Sequence, residues 1–419
     1  MTKEDKNIIL KGVKFRLYPT YDQELAFLKS FDNTTFVWNQ MLEMMNTRYQ
    51  NNPNLPRLRQ FRLANLLPLL KQEYPFLKSS DSTSFTLVTK DLDLAWTRFF
   101  QDKTHKTGKP RFHSRFNHSK SFRGNVVNNS TRLEDKQRYI KIPKIGNIKY
   151  RSSPITIANT KEAKIKQYAI ILSSDGKYYI SLQVEAPAPK KLPISNRTVG
   201  ISLGIRELAV LSNGKVYKKF TDPKLEAKIK EWSSKYSRRK YRAQIQIAID
   251  KNKQVPVPRT LDDFKNVEAA RKMKAHYQAK LANKRKDYLH KISTEIIRNY
   301  DEIYLGDSSI KGMQLKKAPT KKKNNINYSL ANQALYMFKN QLSYKAAWYG
   351  KKYLEVDAKD SSKTCFHCRQ KNFAFDTMPL SKFLSLKEWT CPNCGAINNR
   401  RVNAAKNLVV AGKKKEKTN

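Results

Sequence analysis

The chain has 419 residues, with 83 Lys and Arg against 35 Asp and Glu, a formal net charge of +48. That length exceeds one ordinary core and predicts several domains, and 39% hydrophobic residues excludes a mainly disordered chain. Self-repulsion on this scale calls for a polyanionic partner, and nucleic acid is the natural one, because each basic residue at a phosphate releases condensed counterions.

Residues 1–10 mix both charge signs without an apolar run, and no later stretch approaches the roughly 20 apolar residues of a spanning helix. No membrane role and a cytoplasmic location are expected. Val13, Phe15 and Leu17 alternate with polar residues, a short strand stopped by Pro19. Leu25 and Leu28 belong to one helical pattern and residues 36–45 to a second. Val88, Leu92, Ala95 and Phe99 then form one face of an amphipathic helix.

Residues 103–123 interleave charge and rings, with Lys106, Lys109, Arg111, Arg115, Lys120 and Arg123 among Phe112, Phe116 and Phe122. Cations reach phosphates and rings stack on bases, so these six basic residues are the candidate nucleic-acid contacts. Residues 139–186 turn to strands, with Asp175-Gly176 as a hairpin signal, and a small β-barrel that includes the N-terminal strand is expected. Pro187, Pro189 and Pro193 mark a domain boundary.

Residues 198–204 and 208–211 read as strands, the second meeting the Asn213-Gly214 turn. Leu225, Ile229, Trp232 and Tyr236 form a helix face. Pro256 and Pro258 break the pattern, and Thr260 to Asp263 offers a capping-box start to a long basic helix reaching about Asn299. Residues 302–305 form another strand, 316–323 a basic loop. Residues 329–349 read as a helix, with Ser329 as N-cap and Gly350 closing it.

All four cysteines lie in two C-x-x-C pairs, Cys365 with Cys368 and Cys391 with Cys394, separated by twenty-two residues. Two such knuckles can close a tetrahedral thiolate shell around Zn2+ with no position left open, so a structural zinc site is expected.

In this order the motifs resemble the TnpB family of transposon-associated RNA-guided nucleases, relatives of the compact type V CRISPR effectors. The likeness runs through residues 14–19, 92–100, 106–112, 200–204, 303–313, 361–365 and 391–408. It implies an α/β multidomain chain. An N-terminal OB-like β-barrel, or wedge, would span 1–18 and 103–190, with a helical recognition module inserted at 19–102. A C-terminal RuvC domain of RNase-H-like fold would span 195–357 and 396–412, with a zinc ribbon at 358–395 and a basic tail at 413–419.

The family's nuclease needs three acidic side chains converging on one or two Mg2+, hard cations that take oxygen ligands. Where its first motif has Asp, this chain has Ser202; where its second has Glu, Gly306; where its third has two Asp, Asn399 and Arg401. Asp307 neighbours the lost Glu but should face the opposite side of its strand. Glu207, beyond the first strand, is also a poor substitute.

The resemblance therefore implies a protein without nuclease activity and without catalytic Mg2+. Its partners would be a guide RNA and double-stranded target DNA with a short adjacent motif, on the bacterial nucleoid when DNA-bound. It would repress transcription by R-loop formation and promoter occupancy. The alternatives are a residually active RNA-guided endonuclease and a transposon accessory protein that binds RNA or DNA.

Overall fold

The structure, a computed structural model, describes residues 8–102, 107–114, 120–134, 138–151, 163–204, 207–307 and 334–418, without the side chains of Asp307, Leu380, Ser381 and Thr418. They form two compact units, one of residues 1–188 and 240–276, the other of 189–239 and 277–419. Residues 240–276 thus group with the N-terminal unit, whereas the sequence reading placed them in the C-terminal domain. Arg271 Nη1 donates to the Ser174 carbonyl at 2.7 Å, and Lys177 Nζ lies 2.9 Å from His276 Nδ1, tying this segment to the Asp175-Gly176 turn.

The first unit contains a curled seven-stranded sheet. Its strands are β1 (Ile8–Tyr18), β2 (Lys120–Asn125), β3 (Arg132–Glu134), β4 (Tyr139–Ile142), β5 (Gly146–Arg151), β6 (Lys164–Leu172) and β7 (Tyr178–Pro187). The order is β2-β6-β7-β1-β5-β4-β3, and every pairing is antiparallel. The described pairings leave β2 and β3 as edges. β1 lies between β7 and β5, so the N-terminal strand belongs to the sheet as expected. Its alternation buries Phe15 and Leu17 with Phe122, Ile148, Tyr168 and Ile180. Gly176, at φ +79°, makes the hairpin turn between β6 and β7.

A helical cluster follows β1: α1 (Tyr21–Asn51), α2 (Gln60–Asn65), α3 (Leu67–Glu73) and α4 (Ser82–Gln101). Two helices were expected where the single α1 stands. The polar residues between the two patterns are satisfied within the fold, Thr34 Oγ1 donating to the Ser30 carbonyl and Asn33 Nδ2 to Ser80 Oγ. A capping box of Thr20 and Gln23 starts the helix. Val37, Leu42, Leu63, Leu77, Phe85, Leu92 and Trp96 form its core.

The second unit is built on a five-stranded sheet of β8 (Thr198–Leu203), β9 (Glu207–Leu211), β10 (Val216–Lys218), β11 (Glu302–Asp307) and β12 (Lys352–Asp357). The order is β10-β9-β8-β11-β12, with β8, β11 and β12 parallel and the β8-β9-β10 meander antiparallel. Strands β10 and β12 were not anticipated: one has three residues, and the other alternates too weakly to separate from a loop. Helices α5 (Pro223–Asn252) and α6 (Lys265–Asn299) carry the long basic segments. Thr260 and Asp263 form the expected capping box before α6.

On one face of this sheet Val199, Ile201, Ile303 and Leu305 pack against Ile292 and Ile296 of α6 and against Phe338 and Leu342 of α7 (Leu335–Tyr349). Gly350, at φ +68°, closes α7 as expected, whereas Ser329 and the basic loop at 316–323 lie outside the described residues. The opposite face is covered by the last helix. Short helices α8 (Ala374–Thr377) and α9 (Leu380–Ser385) and a hairpin of β13 (Glu388–Thr390) and β14 (Ile397–Asn399) precede it.

That last helix, α10 (Arg400–Thr418), continues through the residues expected to form a basic tail. Its end is anchored by Glu416, which accepts from Tyr304 Oη at 2.9 Å and pairs with Lys352 at 2.7 Å. No helix among the described residues is long and apolar enough to cross a membrane.

Candidate functional site

The β8 and β11 register brings together two of the positions where the resemblance led an acid to be expected, Ser202 and Gly306. Leu305 pairs with Ile201 in parallel, so one step further on Gly306 stands beside Ser202. Strand alternation sends Ile201 and Leu305 into the apolar core and turns Ser202 and Gly306 to the α10 face. The helix lies unusually close there. A Cβ at Gly200 would sit 1.9 Å from the Ala405 carbonyl oxygen, so only glycine permits the contact. A Cβ at Gly306 would meet Leu408 at 3.0 Å and Ala358 at 3.2 Å.

Asn399 and Arg401 complete the group. The Asn399 side-chain oxygen accepts from the Arg401 and Val402 N–H groups at 3.3 and 3.2 Å, making it the N-cap of α10. Asparagine keeps the capping role an aspartate would have and gives up the charge. Arg401 reaches back over the strand. Nη1 donates to a Glu207 carboxylate oxygen at 2.9 Å and Nη2 to the Ser202 carbonyl at 3.1 Å. The guanidinium also fills the space beside Gly204, where a Cβ would lie 2.3 Å from Nη1.

Burial pulls the Arg401 guanidinium below its ordinary range, while Glu207 opposes the shift; it remains a cation, because arginine does not deprotonate in proteins. Glu207 was set aside in the sequence as a poor metal ligand; here it is the counter-ion that permits a buried cation. Among the described residues the cluster offers one carboxylate, already held by a guanidinium, a serine and a backbone carbonyl. That donor set does not fit a hard divalent cation, which needs several anionic oxygens. The side chain of Asp307 lies outside those described; its backbone pairs with Asp357.

Glu207→Ala is expected to destabilise the fold by about 1 kcal/mol, because it removes the partner of a part-buried charge that solvent still screens. Arg401→Met, which removes the charge and keeps most of the volume, should cost less. Urea unfolding of both variants checks this order, and equal losses would contradict it.

The cysteines converge as the spacing requires. All four Sγ atoms lie within 4.8 Å of one another, with Cys365 and Cys394 at 3.8 Å and Cys368 and Cys391 at 3.6 Å. A tetrahedral ion at about 2.3 Å from each sulfur would separate them by about 3.8 Å, so the four residues fit a metal. Four sulfurs this close cannot all ionise unaided. The Asn393 side chain and then the Gln370 N–H draw the Cys368 thiol down to about 6. Cys394, despite the Ala396 N–H, is pushed up to about 12 by desolvation and its sulfur neighbours. Asn398 Nδ2 donates to Cys365 Sγ at 3.5 Å, supporting the shell from outside.

Two asparagines not singled out in the sequence join this module to α10. Asn403 accepts from the Phe366 N–H at 2.8 Å and donates to the Thr364 carbonyl at 2.7 Å, and Asn407 donates to the same carbonyl at 2.7 Å. The signal available in the sequence was a pair of asparagines one helical turn apart directly after Arg401.

The six candidate nucleic-acid contacts separate. Lys106 and Arg115 lie outside the described residues. Lys120 pairs with Asp32 at 2.9 Å and Arg123 with Asp91, so both clamp β2 to α1 and α4. Lys109 sits 4.7 Å over the Tyr49 ring, and Arg111 is exposed. Their segment is held through its backbone. Trp38 Nε1 donates to the Arg111 carbonyl, Asn39 exchanges two hydrogen bonds with the His113 backbone, and the His113 ring stacks on Trp38 at 4.3 Å.

Fold and site thus define an α/β multidomain protein with a curled antiparallel sheet and a four-cysteine module before its last helix. Residues 336–408 match the family described as Cas12f1-like, TNB domain; residues 181–316 match the IS605 OrfB transposase family and 7–53 its helix-turn-helix domain. Over 7–53 the structure has a strand and one unbroken helix.

The chain is 27% identical over 414 residues to "Putative RNA-guided DNA endonuclease InsQ" of Escherichia coli K12, covering 96% of this chain and 92% of that protein. A Streptomyces pristinaespiralis protein with the same description is 26% identical, covering 96% and 90%. The fold is similar to the protein in a Cas12f1-sgRNA-target DNA complex, at a TM-score of 0.52 and 12% identity over 96% of this chain and 99% of that one. Along its length the chain is thus similar to the TnpB/IS605 transposase family and, over residues 336–408, to a Cas12f-like TNB domain.

Proposed function

We propose that the protein is an RNA-guided, sequence-specific DNA-binding protein that does not cut its target. The observation that carries the reading is Arg401, whose guanidinium is bonded to Glu207 and the Ser202 carbonyl at the point where the family's carboxylates would gather. A fixed cation there repels Mg2+ and supplies no oxygen ligand. The parallel β8-β11-β12 strands, the antiparallel meander and the crossing α10 support an inactive RuvC domain of RNase-H-like fold. Residues 358–395 are then its zinc ribbon, with Zn2+ purely structural. The curled sheet is the wedge, and α1 to α4 the recognition module.

A net charge of +48 suits two polyanions. A guide RNA would read sequence by base pairing, and the protein would read a short adjacent motif in the duplex. The relatives' description as RNA-guided DNA endonucleases supports the guide and the target. Without cleavage the product is a persistent R-loop, which blocks transcription when it covers a promoter on the nucleoid.

The test is reconstitution with the RNA that co-purifies with the protein. Matched duplex should shift in a gel, the shift should collapse on mismatches near the adjacent motif, and the DNA should stay intact with Mg2+ or Mn2+. Cleavage would establish the endonuclease reading instead, and binding indifferent to the guide would establish the accessory role.

A further inference from the structure

The helical cluster of the first unit contains a cavity of about 540 Å3, within the range of about 300–1,000 Å3 typical of small-ligand sites. It opens between the last turns of α1 and α4 and the loop joining α1 to α2, within the helices read above as the recognition module. One wall is aromatic. The Trp96 and Phe100 rings stack at 5.5 Å with 22° between their planes, and Tyr49 lies 5.8 Å from each. Trp96 is fully buried, but the Phe100 ring is half exposed.

Arg48, Arg57 and Arg59 also line the cavity, the Arg57 guanidinium lying 5.8 Å over the Phe100 ring. Asp93 takes Arg57 at 2.9 Å and Arg59 at 3.4 Å, one carboxylate for two guanidinium groups. Arg48 meets only a carbonyl, that of Pro56, among the described residues. Beneath the surface, Arg48 Nε, Arg57 Nε and Trp96 Nε1 are buried without an acceptor among the described residues.

We propose that this cavity holds one unpaired nucleotide, its base against Phe100 and its flanking phosphates against the arginines. A bare anion would leave the apolar wall unused and would face the carbonyl ends of α1 and α4, where the helix dipole is negative. A nucleotide answers both difficulties: its ring stacks, its exocyclic N–H groups can donate to helix-end carbonyls, and its phosphates meet the guanidinium groups. The inference rests on the reading that the protein binds nucleic acid and is independent of whether it cuts. The nucleotide can come from the guide RNA or from a DNA strand, and the experiment separates the two.

The ribonucleoprotein is assembled with and without target duplex, with 5-iodouracil at successive positions of the RNA or of either DNA strand, then irradiated and digested for peptide mapping. The expected result is a crosslink from one position to a peptide bearing Tyr49, Trp96 or Phe100, and the strand that carries it names the source. Phe100→Ala, a change at a half-exposed ring, should lower that yield and the affinity about tenfold, the scale of one lost base stack. Phe100→Trp should retain both.

Crosslinks elsewhere on the chain, with none in residues 45–59 or 96–101 from any position, would overturn the cavity assignment alone. A preparation that crosslinks nowhere would overturn it together with the nucleic-acid reading. Full yield from Phe100→Ala would remove the stacking wall from the proposal.

Discussion

Cys365→Ser is expected to release bound zinc and unfold residues 361–399 while both sheets remain. The module's apolar cluster consists of Cys365, Phe375, Phe383, Trp389 and Cys391, and its only hairpin has three residues per strand. A core that small does not stand alone. Metal binding must therefore supply most of its folding free energy, and such sites contribute about 10–16 kcal/mol in isolated zinc-finger peptides.

Protons compete with the metal for sulfur. Bound thiolates titrate far below free thiols, so the stability they confer is present at neutral pH and lost as pH falls. Zinc per chain by elemental analysis and protease sensitivity within 361–399 are the readouts. A Cys365→Ser protein that kept a full equivalent of zinc and its resistance would contradict the assignment. DNA binding should weaken as well, because Asn403 and Asn407 tie this module to the helix that covers β8.

The second large effect is a gain. Ser202→Asp, Gly306→Glu, Asn399→Asp and Arg401→Asp combined are expected to restore metal-dependent, guide-directed cleavage, whereas each single change stays inactive. The asymmetry follows from the geometry. While Arg401 remains, an aspartate at 202 adds a partner for the guanidinium rather than a site for Mg2+. With Arg401→Asp alone, the new acid faces Glu207 without enough oxygen ligands. Gly306→Glu must displace Leu408 and Ala358 by a few tenths of an ångström, so the restored rate should remain well below that of an intact nuclease. Target cleavage with Mg2+ or Mn2+ is the measurement; cutting by any single variant would show that the site is less completely lost than proposed.

How much of this was legible in the sequence depended on how local each feature is. The hairpin at Asp175-Gly176, the capping box before α6 and the Gly350 end of α7 are set by residues within a few positions of one another, and each formed as read. The cysteine cluster was legible for a different reason: thiolate spacing constrains chemistry whatever fold surrounds it. The proposed loss of acids at 202, 306, 399 and 401 could be read only against a family pattern, because nothing about a serine or a glycine alone announces a missing ligand. The unity of α1 was illegible, since the Asn33 and Thr34 hydrogen bonds that carry it through a polar stretch include a partner 47 residues away.

Composition and spacing by themselves pointed to a polyanionic partner and gathered four cysteines able to share a metal, because net charge and ligand identity need no coordinates. Only the tertiary structure decided what Arg401 meets. Arg401 and Glu207 are 194 positions apart and meet because α10 packs across Gly200 and Gly204, where the strand lacks the Cβ atoms that would hold the helix off. The same holds for Lys120 and Arg123: in the sequence they belong to a basic run, yet in the fold each faces a carboxylate from a helix packed against its strand. Charge type is written residue by residue, but which charge it meets is fixed by register and packing.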